Sequence, residues 1–164
     1  MIYRVVRTVL KQKKDPGLYE YLDHHMHLSN NLYNATLFRI RQNFTSRKKE
    51  HPTENELEVQ REIEETLELC PHLKRPKSVL SYKFLERMMR VMDNPDFFAG
   101  LPSQTAEECQ KAAVHDFRSW LASLRKYKKH PEKYLGKPKM PHYKKKRSIS
   151  TITFSNQGCK IKEG

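Results

Sequence analysis

Residues 101–158 read LPSQTAEECQKAAVHDFRSWLASLRKYKKHPEKYLGKPKMPHYKKKRSISTITFSNQG, and the three parts of this stretch decide the fold. In the first part, Ala106, Cys109, Ala113, Phe117, Trp120 and Leu124 recur at steps of three or four, which predicts a helix with one apolar face. Ser103 is placed to cap it, Glu107 and Glu108 suit its first turns, and Trp120 reads as a core anchor. The second part has prolines at 131, 138 and 141 and almost no aliphatic residues, so the helix must end near Tyr127 and give way to an exposed basic arm. In the third part, hydroxyl and apolar residues alternate, with Ile149, Ile152, Phe154 and Ile161 available for burial and a turn at Asn156-Gln157-Gly158. That alternation predicts two short strands.

Working outward, residues 2–10 (IYRVVRTVL) combine β-branched and aromatic residues as a strand with one wet face does. Between this strand and the later pair, the pattern is helical. Leu18, Leu22, Tyr33, Leu37, Ile40 and Phe44 predict one long helix or two short ones, interrupted in the middle by polar residues. Val59, Ile63, Leu67 and Cys70 give a second helix, whose glutamates from Glu54 to Glu68 read as a solvated face. Phe84, Leu85, Met88 and Met92 give a third. The expected class is therefore α+β, a helical insertion framed by pieces of one β-unit.

Composition narrows the function. The 164 residues hold 32 Lys and Arg against 19 Asp and Glu, a net charge of +13, and thirteen of those cations lie in residues 121–164 against only Glu132 and Glu163. Charge so localised points to a polyanion met by the C-terminal quarter. Lys126, Lys128, Lys129, Lys133, Lys137, Lys139, Lys144, Lys145, Lys146 and Arg147 are interleaved with Tyr127, Tyr134 and Tyr143, pairing phosphate contacts with rings that stack on bases. A solvated lysine-rich linker is the plainer alternative.

Other chemistries find little support. Asp23, His24, His25 and His27 are neighbours whose directions diverge on a helix, so they read as surface groups and not as a metal site. Cys70, Cys109 and Cys159 are odd in number and far apart, which encodes neither a disulfide framework nor a zinc ribbon. The carboxylates form no convergent catalytic set, and the five glycines are scattered. No apolar run approaches the ~20 residues that span a bilayer, so the sequence reads as that of a soluble, cytoplasmic protein with no membrane partner.

These residues carry a resemblance. Leu101-Pro102-Ser103-Gln104, Phe117 with Trp120, Gly136-Lys137-Pro138-Lys139, Pro141 to Lys146 and Thr151 to Gly158 resemble, in that order, the TnpB (OrfB) family of transposon-encoded RNA-guided DNA endonucleases, relatives of the compact type V CRISPR effectors. Upstream, Tyr33-Asn34 and the segment from Leu80 to Met89 are similar to the family's recognition helices. The likeness spans nearly the whole chain, and only the family's N-terminal part.

The resemblance implies a helical recognition (REC) domain inserted into a partial β-barrel wedge (WED) domain: first strand in 1–14, helices in 15–130, basic arm in 131–147 and returning strands in 148–164. It implies guide RNA and double-stranded target DNA as partners. Base pairing would read the target while the protein reads a short adjacent motif. By position, Tyr33, Tyr82, Glu86 and Thr153 fall where relatives contact that motif. Relatives often carry Gln at the place of Glu86 and Lys where Tyr82 or Lys83 stands; a carboxylate there repels phosphate and accepts from a cytosine amino group. The family's RuvC-like carboxylates and zinc ribbon, with their Mg and Zn, lie beyond the point matching Gly164, so the resemblance implies a chain that binds nucleic acid, does not itself cut, and requires no cofactor. Two rivals remain: a nuclease-free RNA-guided repressor and a generic basic RNA-binding protein.

Overall fold

Pro16, whose fixed backbone angle suits a first helical turn, opens the longest element, α1 (Pro16–Ser46). The computed structural model describes residues 7–146 and 148–155. Helix α2 (Glu54–Leu69) follows, with a reciprocal cap in which Thr53 Oγ1 accepts from the Glu56 amide and the Glu56 carboxylate accepts from the Thr53 amide. Helix α3 (Tyr82–Val91) starts from Ser81, whose hydroxyl accepts from the Phe84 amide at 3.3 Å. Helix α4 (Ser103–Lys129) starts without a side-chain cap. Its capping position is Pro102, and Ser103 is the first helical residue, which corrects the expectation of a Ser103 cap. Lys126, Lys128 and Lys129 in its last turn complement the helix dipole before Pro131 stops the helix.

Helices α1 and α4 share the largest helix contact, and α2 and α3 close the bundle. Leu32, Leu37 and Ile40 of α1 meet Val59 and Ile63 of α2, Leu85, Met88 and Met89 of α3, and Ala113 and Phe117 of α4, all within one percent of full burial. Phe44, Phe117 and Trp120 meet edge to face with centroids 5.1–5.6 Å apart, so Trp120 is the core anchor its spacing predicts.

The expected α+β class, a recognition domain inserted into a partial wedge barrel, is overturned: the described residues form a bundle of four helices with no strand. Residues 7–10 hold no strand, and 1–6 lie outside the described residues. Residues 148–155 run over α1 and α4 as a strap without regular structure. The Ser148 carbonyl accepts from Asn30 Nδ2 at 2.7 Å, the Ser150 amide donates to Met26 Sδ at 3.2 Å, and the Thr153 carbonyl accepts from Thr105 Oγ1 at 3.1 Å. Alternation fixes which side chains share a face, but it does not fix what bonds the backbone. Here helix side chains take the place of a neighbouring strand, while Ile152 packs on the core and Phe154 lies near the rings of Tyr21 and His25. The expected turn at 156–158 and Ile161 lie outside the described residues.

Two glutamates also depart from the expected solvated face. Glu56 is 1% exposed, and Glu62 forms a two-bond pair with Arg39 at 2.6 and 2.8 Å. Burial pushes the Glu56 carboxyl up, but bonds from Lys49 Nζ, Thr45 Oγ1 and Thr53 outweigh it and hold the pKa at about 2. Cys70 and Cys109 are buried free thiols; Cys159 lies outside the described residues.

Candidate nucleic-acid interface

The polar interruption in α1 is what receives the arm. Asn34 makes a two-bond clamp on the backbone of Lys144: its Nδ2 donates to the Lys144 carbonyl at 2.9 Å and its Oδ1 accepts from the Lys144 amide at 2.8 Å. One helical turn back, Asn30 holds Ser148 and Ser150; farther along, Arg41 donates to the Pro141 carbonyl at 3.4 Å and lies 4.7 Å from the ring centre of Tyr143. At the other end, Trp120 Nε1 donates to the Pro138 carbonyl at 3.1 Å. The exposed arm is thus a docked segment, anchored through its backbone, and not the solvated linker of the plainer alternative.

Backbone anchoring leaves most of the charges exposed. Lys126, Lys128 and Lys129 at the end of α4, and Lys137, Lys139, Lys145 and Lys146 along the arm, are exposed. Tyr143 is 41% exposed under its arginine. Lys144 is half-buried, its ammonium 4.4 Å from the ring centre of Tyr33. Arg147 lies outside the described residues. Lys144, Lys145 and Lys146 border a depression of about 420 Å³ with His27, Asn31 and Asn34. In contrast, Glu54, Glu58, Glu64, Glu65 and Glu68 line the exposed side of α2, a face that repels phosphate.

The four residues expected beside the target-adjacent motif divide between two depressions. Tyr33 and Thr153 border one, together with Lys111 and Lys144. Tyr33 is 4% exposed and its hydroxyl donates to Asp116 at 2.7 Å; burial and that carboxylate push the phenol well above its ordinary pKa. Tyr82 and Glu86 border the other, between α3 and α4. Glu86 is paired with Arg90, and Lys111, held by Glu107 at 2.7 Å, lies 5.3 Å from the Tyr82 ring centre. Burial and Glu107 raise the Tyr82 phenol. Lys111 thus lines the first depression and lies over the Tyr82 ring, which borders the second.

Between these groups, Gln110 is fully buried, and neither its Nε2 nor its Oε1 has a hydrogen-bond partner among the described residues. An unpaired buried polar group costs about 1–3 kcal/mol. Reading the sequence alone missed Gln110, Lys111, Arg41 and the clamping role of Asn34. The signal for the last was the run of Asn30, Asn31 and Asn34 on an otherwise helix-forming segment.

Of the histidines, His24 is exposed, His27 is partly covered, and His25 is buried with Nδ1 donating to the Tyr21 carbonyl at 2.8 Å. Burial of His25 corrects the expectation that all three lie on the surface. Among the described residues, no group of three or more His, Cys, Asp or Glu side chains is placed to hold a metal, and no helix is long and apolar enough to cross a membrane. No family model, curated protein or solved structure matches this chain.

Proposed function

We propose that the chain binds nucleic acid as the helical recognition region of a TnpB-like RNA-guided DNA endonuclease. The arm would hold guide RNA, the faces bearing Tyr33, Tyr82, Glu86 and Thr153 would meet target DNA beside its adjacent motif, and a RuvC-containing segment or chain would cut. A cytoplasmic location accompanies this reading. The observation that supports it best is the arm itself: its backbone is tied to α1 and α4 by Asn34, Arg41 and Trp120, and Lys137, Lys139, Lys145 and Lys146 along it are exposed. A docked cationic ridge holds its charges at set positions, which lowers the ordering cost of meeting a phosphate backbone.

The test is to replace Lys137, Lys139, Lys145 and Lys146 with Gln and measure RNA affinity across a salt series. All four are exposed, so the helices should persist. Affinity should fall for every sequence, and the slope of log affinity against log salt should flatten by about 0.7 per lost contact on single strands. Unchanged affinity and slope would refute the reading. RNA copurified with the chain from its host separates the variants: one dominant structured transcript supports guide binding, while a diffuse mixture leaves a generic RNA-binding protein.

A further inference from the structure

The elbow between α3 and α4 encloses a depression of about 370 Å³, at the small end of the ~300–1,000 Å³ typical of ligand sites. The basic arm plays no part in its lining. Gln110 lines it, fully buried with both amide atoms unpartnered among the described residues. Native proteins rarely leave such groups unpaired, and a buried amide beside a depression offers a donor and an acceptor side by side.

The rim supplies flat surfaces. Phe97 and Phe98 meet edge to face at 5.1 Å, Phe98 is 52% exposed, and the Arg90 guanidinium lies 4.9 Å from the Phe97 ring centre. The turn that presents them is built: Asn94 Oδ1 accepts from the amides of Asp96 and Phe97 at 3.1 and 3.3 Å, and Gly100 takes φ +97°, a conformation that disfavours other residues. Two carboxylates, Glu86 and Glu107, also line the depression.

We propose that this elbow takes a single unstacked nucleobase carrying an amino group beside a ring nitrogen, adenine or cytosine. The inference rests on the nucleic-acid reading above and adds a site to it. Gln110 donates to the ring nitrogen and accepts from the amino group, and the base face rests on the phenylalanine pair. Lone pairs of Glu86 and Glu107 accept from amino groups and repel carbonyls, so uracil, which presents two carbonyls around an N–H, is disfavoured.

The experiment titrates the full chain with short single-stranded oligoadenylate, oligocytidylate and oligouridylate of equal length at one salt concentration. Adenylate and cytidylate should bind roughly five-fold or more tighter than uridylate. Gln110→Met keeps the side-chain volume and removes the unpaired amide; it should raise the melting temperature and weaken adenylate and cytidylate. Phe98→Ala should weaken adenylate and cytidylate. The arm-neutralised variant should weaken all three together and keep their ratio, so failure of the arm reading and failure of this one are separable. Equal affinity for the three homopolymers, or adenylate and cytidylate affinity left unchanged by Gln110→Met, overturns the proposal; the second outcome would make Gln110 a merely structural buried amide.

Discussion

Helix α2 and the arm with its strap are held in opposite ways. The start and inner face of α2 are specified within a short run of chain: Thr53 and Glu56 close its start on each other, Val59 and Ile63 face inward, and a little way back Lys49 pairs with Glu56 while Thr45 donates to it. The arm has no such internal pattern. Asn34 lies 110 residues from Lys144, and Asn30 lies 118 from Ser148. A locally closed element can be read from its own residues, whereas a segment closed by distant side chains takes whatever course those side chains offer.

The largest effect expected from breaking this contrast is Glu56→Gln, which removes the charge that three neighbours address and should cost about 1.5–3 kcal/mol in denaturant unfolding at neutral pH. Its sign with pH follows from the depressed carboxyl. The folded pKa of about 2 lies below the ordinary 4.5, so the stabilisation is fully present above about pH 4.5 and is lost as pH falls toward 2. The variant should therefore lose stability less steeply than the parent across that window.

Next is Asn34→Ala, which removes both clamp bonds and should cost about 1–2 kcal/mol. The loss should be local. Hydrogen exchange at the Lys144 amide should accelerate while core amides of α1 and α4 keep their protection; equal loss throughout the bundle would mean that the arm is part of the cooperative unit.

The smallest effects form a matched pair. Thr53→Ala removes a real cap and should cost about 1 kcal/mol, whereas Ser103→Ala, at an exposed first helical position without a cap bond, should stay within about 0.5 kcal/mol. Equal costs in thermal unfolding would erase the distinction between a capped and an uncapped start.

Much of the helical core was legible beforehand. The stripes containing Val59 and Ile63, Phe84 with Leu85 and Met88, and Ala113 with Phe117 all face inward, because a 3.6-residue period leaves one face to bury. The strap misled because Ile152 and Phe154 alternate as in a strand although helix side chains bond their backbone. Glu56 and Glu62 were hidden for a related reason: a glutamate-rich helix looks solvated until Lys49 and Arg39 are known to reach it. Gln110 carried no signal, since its place in an apolar-stepped helix reveals neither its burial nor its lack of a partner.

The sequence by itself determined where the chain is helical, most of the apolar residues that turn inward, and that the positive charge gathers after residue 120, because periodicity and charge are properties of neighbours. The tertiary structure alone decided that the lysine-rich tract is docked and not loose, that the alternating tail is a strap and not a strand, and that Gln110 sits buried in the α3–α4 elbow beside Phe97 and Phe98. Those outcomes depend on hydrogen bonds and contacts between residues far apart in the chain, whose partners no local pattern names.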